Sequence, residues 1–397
     1  MSLEKMSLLI VNNNMEIGGI QRSLVNFLWA THERYDITLF LFSASGPLLE
    51  QIPADVRIET GNRLLRLLGM SLGQSKCLGW FYYGLRLLFS AWTKVFDNRL
   101  PIGLIVASSR RSREFDWGIS FMQPSDKKIL YGGCNTYVLK RVRAGKKAAF
   151  VHCDFANYEG NQAQNRKQYA SFDRIFLVSE SCRASFLSIM PALQDRCHVV
   201  YNVLNCDEIR SKAAADSVIY DPRAIHFITV ARLSPEKGIL RGLRIFHRYM
   251  TQTKANQAVC WHILGDGMER SQCQSYITSH GLDKYVVLHG QTDNPYRYMA
   301  NADFLFHPSY HEAAPMVFME AACLRLPVLT TQTCSAMEMV ASADAGWVCQ
   351  NSDQGIYDAL KRLLDHPQIA HDQRDKIQIM TDTEQTRKAF AAAVSLS

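Results

Sequence analysis

Short apolar runs alternate with longer mixed stretches along the whole chain. The first half carries "SLLIVNN", "ITLFLFS", "IGLIVAS", "DWGISFM", "AAFVHCD", "RIFLVSE" and "HVVYN"; the second carries "IHFITVARL", "CWHILGDG", "VVLHG", "ADFLFHPS" and "LPVLTT". Such runs are rich in β-branched and aromatic residues and predict strands, with helices in the stretches between them. Strand and helix in alternation predict an α/β fold built on parallel sheets. A polar and alanine-rich patch, "NCDEIRSKAAADSVIYDPRA", separates the two series and predicts a linker at about 203–223. Two α/β domains in tandem would face each other across a cleft. The tail "TEQTRKAFAAAVSL" predicts a terminal helix.

One segment departs from this alternation. "RLLRLLGMSLGQSKCLGWFYYGLRLLFSAWTKVF" is dense in Leu, Trp, Phe and Tyr, yet Arg and Lys break it before eighteen apolar residues accumulate. That pattern predicts a segment lying on a membrane rather than crossing it. Charge points the same way. Residues 60–150 hold sixteen Lys and Arg against four Asp and Glu, a surplus of +12, while the whole chain carries +7. The basic residues are interleaved with Leu and Phe and form no known nucleic-acid reader module, so no nucleic-acid partner is expected.

With 47% hydrophobic and 20% charged residues the chain has ordinary globular composition. Its eleven cysteines include no CxxC pair, which argues against a zinc site and leaves no metal in the expected set. The opening "MSLEKMSLLIVNNN" has no long apolar core of a signal peptide. A reduced, cytoplasmic setting is expected.

Ligands of open α/β sheets sit at the carboxyl ends of the strands, so the chemistry is sought there. After the first strand, Gly18 and Gly19 precede a helix whose free N–H groups form an anion site, although a glycine pair is also an ordinary turn. "ILGDGMER" has Gly265 and Gly267 but Arg270 where a dinucleotide fingerprint needs a third glycine. Close packing of a strand turn is the alternative.

In "VARLSPEKG", Ser234 and Pro235 suit a helix start, placing Lys237 in the first turn. There the helix dipole disfavours a cation unless an anion is bound, and Arg232 could close on the same anion; pairing of Arg232 with Glu236 is the alternative. In "SYHEAAPMVFMEA", Pro315 suits the first helical position, leaving the N–H groups of Met316, Val317 and Phe318 for phosphate or sugar oxygens. Glu312 and Glu320 on either side are acceptors for sugar hydroxyls, or a cap and a surface acid. His152 ends a strand in "AAFVHCDF", and is either structural or a donor to a sugar or phosphate.

Taken in order, "GGIQRSLVNF", "VHCDF", "LVSE", "VVYN", "VARLSPEKG", "ILGDG", "LHGQTDNPYRYMANADFLFHPSYHEAAPMVFMEA" and "LPVLTT" resemble the GT-B glycosyltransferases, and among them the retaining family 4. The resemblance covers most of the chain and is similar to bacterial enzymes that build surface polysaccharides and O-antigens. It implies two Rossmann-like, doubly wound domains: an acceptor-binding domain at 1–203, a nucleotide-sugar domain at 204–378, and a helix at 379–397 packing back on the first. It implies that Arg232 and Lys237 hold the donor diphosphate, Glu312 the donor sugar and Glu320 the ribose. His152 would sit near the sugar, and Gly18 and Gly19 in a mobile loop. Gly265, Asp266, Pro315, Met316 and Val317 join the donor-binding set.

The implied reaction is metal-independent transfer of a hexose or acetylhexosamine from a nucleotide sugar, UDP-linked by preference, with retention. The implied acceptor is a lipid-linked or oligosaccharide one at the inner face of the cytoplasmic membrane, whose anionic surface is a further expected partner. Two departures stand out: Ala313 follows Glu312 where the family has Gly, and Arg325 replaces the usual turn glycine. A nucleotide-sugar epimerase and an inactive binding scaffold are the alternative readings.

Overall fold

A computed structural model describes residues 5–158, 160–253, 258–379 and 383–395. The chain divides into two compact units: one runs to Val203 and takes in the terminal segment from Thr383, and the other begins at Leu204.

The first unit holds β1 (Ser7–Asn12), β2 (Asp36–Leu41), β3 (Arg57–Thr60), β4 (Glu114–Ser120), β5 (Arg143–Val151), β6 (Arg174–Leu177) and β7 (Cys197–Val199). They form one parallel sheet in the order β3-β2-β1-β4-β5-β6-β7. Leu8 to Val11 of β1 are fully buried, as a central parallel strand covered by helices on both faces requires. The terminal helix Thr383–Ser395 belongs to this unit. Phe390 meets Phe27 edge-on at 4.9 Å and Phe176 at 5.5 Å, and Arg387 Nε donates to the carbonyl of Ala30 at 2.6 Å.

The second unit holds β8 (Ala224–Val230), β9 (Ala258–Leu264), β10 (Val286–Gly290), β11 (Phe304–His307), β12 (Val328–Thr331) and β13 (Gly346–Cys349), ordered β10-β9-β8-β11-β12-β13, again parallel. One side packs Phe227, Trp261, Phe246 and Phe306, the other Ile228, Leu264, Leu305 and Phe318.

Two local expectations are corrected, and one cross-link is added. "IGLIVAS" lies in a helix, Arg99–Ala107, which buries Ile102, Ile105 and Val106 at helical spacing while Leu104 faces out. The stretch read as a linker contains the helix Cys206–Ala215, capped by the Asn205 side chain on Glu208 N at 3.1 Å, and Ile209 and Ala213 join the second unit's core. Cys206 and Cys323 are disulfide-bonded with Cα atoms 5.2 Å apart, a pairing across 117 residues that local cysteine spacing does not reveal.

Candidate functional site

The loops after β8, β9 and β11 carry most of the candidate residues. Pro235–Lys237 forms a single 3-10 turn, not the start of the long helix; Gly238 follows at φ 65° and the helix runs from Ile239 to Gln252. Gly238 is required twice over. Its φ is left-handed, and a Cβ there would fall 2.3 Å from the carbonyl oxygen of Pro308. This close approach sets Lys237 beside the loop that follows β11.

There the Lys237 ammonium donates to Glu312 Oε1 at 2.6 Å. The same oxygen accepts from His307 Nε2 at 2.6 Å and from Ser309 Oγ at 2.8 Å. Oε2 makes no hydrogen bond with the described residues. Glu312 is 8% exposed. Burial pushes its carboxyl up, but the charges and hydrogen bonds of Lys237 and His307 more than offset this and hold it at about 2. The cation in the turn is therefore already neutralised by Glu312. Sequence reasoning missed His307 and Ser309; the signal was that His307 is the last residue of β11, where this fold places functional groups.

Pro315 is the residue before the helix Met316–Cys323, not its first residue. Phe318 N–H is taken by the Pro315 carbonyl at 3.1 Å, which leaves the amides of Met316 and Val317 with no hydrogen bond among the described residues. Glu320 is buried in the same helix and accepts from the Tyr296 hydroxyl at 3.1 Å. Arg232 is exposed, and its guanidinium makes no ion pair or hydrogen bond with the described residues; Glu236 instead accepts from Ser234 Oγ at 2.6 Å.

Gly265 and Gly267 are explained by packing. Cβ atoms there would meet the carbonyl oxygens of Ala231 and Leu233 at 1.9 and 2.3 Å. Leu233 N donates to the Asp266 carbonyl at 3.0 Å, which sets Asp266 against the segment carrying Arg232. The structure thus joins Lys237 to Glu312 and Asp266 to the Arg232 loop, and holds Glu320 through Tyr296.

In the first unit, Gly18 is extended and Gly19 opens the helix Gly19–Thr31; a Cβ on Gly19 would meet nothing within 4 Å. His152 follows β5, its N–H donating to Gln123 Oε1 at 2.8 Å and its ring stacked on Phe150 at 5.5 Å. Its Nε2 has no partner among the described residues. Burial holds the imidazole well below its usual range, so it is neutral at pH 7.

Residues 214–379 match the family of glycosyl transferases group 1. A Campylobacter jejuni N-acetylgalactosamine-N,N'-diacetylbacillosaminyl-diphospho-undecaprenol 4-alpha-N-acetylgalactosaminyltransferase is 26% identical over 183 residues, 46% of this chain and 48% of that protein. The match thus spans about half the length of that relative. The lipopolysaccharide glucosyltransferase WaaG of Escherichia coli is 41% identical over 68 residues, 17% of this chain and 18% of WaaG. Over the whole chain the fold is similar to that of Anabaena Alr3699/HepE, solved with UDP and glucose (TM-score 0.67, 17% identity, 99% of this chain and 100% of that one). It is also similar to the WaaG crystal structure (TM-score 0.61, 16% identity, 98% and 99%). Most of the second unit therefore matches the glycosyl transferases group 1, and the chain has the GT-B fold and resembles the glycosyltransferases of surface-polysaccharide synthesis.

Proposed function

We propose that the protein is a retaining glycosyltransferase of family 4 that moves a hexose or acetylhexosamine from a UDP-sugar to a lipid-linked or saccharide acceptor in bacterial surface-polysaccharide synthesis. The observation that carries this reading is the grouping of Lys237 and Glu312 at 2.6 Å. It stands just ahead of a helix whose first two amides have no partner among the described residues. An ammonium has three donors and Glu312 takes one, so Lys237 retains donors for a diphosphate. Arg232, exposed and without a partner among the described residues, supplies the second positive charge, and the Met316 and Val317 amides the dipole end. Oε2 of Glu312 is the acceptor for a sugar hydroxyl, and Glu320 for the ribose. His152 donates to the sugar or the leaving phosphate. UDP is preferred because Alr3699/HepE was solved with UDP and glucose.

The chemistry follows from charge. The bond from the anomeric carbon to the diphosphate oxygen breaks, the acceptor oxygen bonds on the same face, and its proton passes to the departing diphosphate. Arg232, Lys237 and the helix end stabilise the charge that grows there, so the diphosphate needs no metal. Proton NMR of freshly formed product decides the stereochemistry. The reading predicts the donor's anomeric configuration in the product, and inversion contradicts it.

The acceptor side is carried by the helix Trp80–Val95, which is turned inside out. Its buried residues are Arg86 and Thr93, while Trp80 (82%) and Phe81 (72%), with Leu88, Trp92 and Val95, stand exposed along one stripe. Lys128 Nζ caps its carboxyl end through the carbonyls of Lys94, Val95 and Phe96 at 3.0–3.1 Å. No helix among the described residues is long and apolar enough to cross a membrane. An exposed aromatic stripe with Lys76 and Lys94 nearby suits the interface of an anionic bilayer, and the inner face of the cytoplasmic membrane is the proposed location. Flotation with liposomes rich in phosphatidylglycerol should carry the protein, with binding lost in Trp80→Ser/Phe81→Ser. Flotation that is indifferent to anionic lipid, or unchanged in the variant, contradicts the membrane role.

A further inference from the structure

A second cluster of chemically active side chains lies in the C-terminal unit, on one face of three adjacent strands. Cys260 and His262 are two residues apart on β9 and so share a face, and His226 of β8 is the cross-strand partner of Cys260. A nitrogen of each histidine and the sulfur of Cys260 all lie within 4.8 Å of one another. His226 and His262 are buried, and Cys260 is a free, partly buried thiol.

We propose that His226, Cys260 and His262 bind a transition-metal ion of the zinc class. Two imidazoles and a thiolate are borderline and soft donors, a set suited to zinc and unsuited to magnesium or calcium. The surrounding contacts are those a metal site needs. His226 Nδ1 and His262 Nε2 face each other at 3.0 Å, and each ring's other nitrogen has an outer partner. His226 Nε2 lies 3.1 Å from the Asp221 carbonyl and His262 Nδ1 lies 3.0 Å from His289 Nε2. Outer hydrogen bonds of this kind fix the tautomer and orient a ligating histidine. Tyr220 stacks on both rings at 4.5 Å, which holds their planes.

Binding moves the His262 proton from Nε2 to Nδ1 and the His289 proton from Nε2 to Nδ1, so that His289 Nε2 accepts from His262, and it releases the Cys260 thiol proton to solvent. Three protein donors leave one position for water. His226 is the third residue of β8, and Arg232 lies two residues beyond the other end of that strand. The ion therefore clasps β8 to β9 at the end of the sheet away from the candidate donor residues. Without an ion the three histidines still close as a chain of neutral imidazoles, but that arrangement gives Cys260 no part.

The difference is testable with the untagged full-length chain, stripped by chelator and titrated with cobalt(II). One ion per chain is expected, with a thiolate-to-cobalt charge-transfer band that Zn²⁺ displaces. The band should vanish in Cys260→Ser, and His289→Gln should weaken binding about 10- to 100-fold. Where Cys260→Ser fails to fold, alkylation of the wild-type chain followed by peptide mass spectrometry replaces it. Zn²⁺ should then protect Cys260 and leave the exposed Cys77 unchanged. Absence of the band, a band that survives in folded Cys260→Ser, or equal alkylation of Cys260 with and without Zn²⁺ overturns the proposal.

Discussion

Lys237→Met should destabilise the protein by about 3–5 kcal/mol, because it strands a buried carboxylate whose strongest partner is gone. His307 and Ser309 remain on Glu312 Oε1, and neither carries the permanent charge that Lys237 brings. The double variant Lys237→Met/Glu312→Gln should recover most of the loss, since both charges leave together. Urea denaturation of the four proteins in the cycle measures this, and a double variant no more stable than Lys237→Met contradicts the pairing. The pH dependence has a definite sign. The Glu312 carboxyl is held at about 2 in the folded protein against 4.5 in a free side chain. Its stabilisation is present above about pH 4.5 and is lost as pH falls toward 2. The stability difference between wild type and Glu312→Gln should shrink across that window.

Arg232→Ala should behave in the opposite way. The side chain is exposed and makes no ion pair among the described residues, so its removal should change stability by no more than about 0.5 kcal/mol. Its proposed work is on the charge of the departing diphosphate, and loss of one such group costs about 10²–10³ in turnover. UDP release from UDP-hexose and UDP-N-acetylhexosamine at saturating donor measures the effect. Near-wild-type turnover in a normally melting Arg232→Ala protein would remove Arg232 from the mechanism. Lys237 and Arg232 thus separate two roles that the sequence presents side by side: Lys237 is built into a buried network, and Arg232 is not.

The fold was legible because a parallel strand covered on both faces needs an unbroken apolar run, and "SLLIVNN" or "ADFLFHPS" can be little else. The same rule misread "IGLIVAS", since a short apolar run buried in a helix looks alike until its neighbours are known. Strands β3 and β13 escaped for the reverse reason: every residue of β3 is exposed and β13 is only half-buried, so neither shows the apolar run of a central strand.

At the site, the positions of Lys237 and Glu312 relative to their strands could be read from spacing. Their mutual contact could not, because it depends on Gly238 meeting Pro308 across seventy residues. His307 closes an apolar strand and reads from sequence as part of its buried run. His226, Cys260 and His262 come from two strands more than thirty residues apart, and only the register of β8 against β9 sets them together.

The central claim is that the residues after β8 and β11 hold a nucleotide sugar through its diphosphate. Thermal melting of the wild-type protein and Arg232→Ala with UDP, GDP or ADP tests it most directly. A ligand bound only by the folded protein at a hundred times its dissociation constant adds about 2.7 kcal/mol. A clear upward shift with UDP, absent with ADP and reduced in Arg232→Ala, is the predicted result. No shift with any nucleotide, or a UDP shift that Arg232→Ala leaves intact, contradicts it.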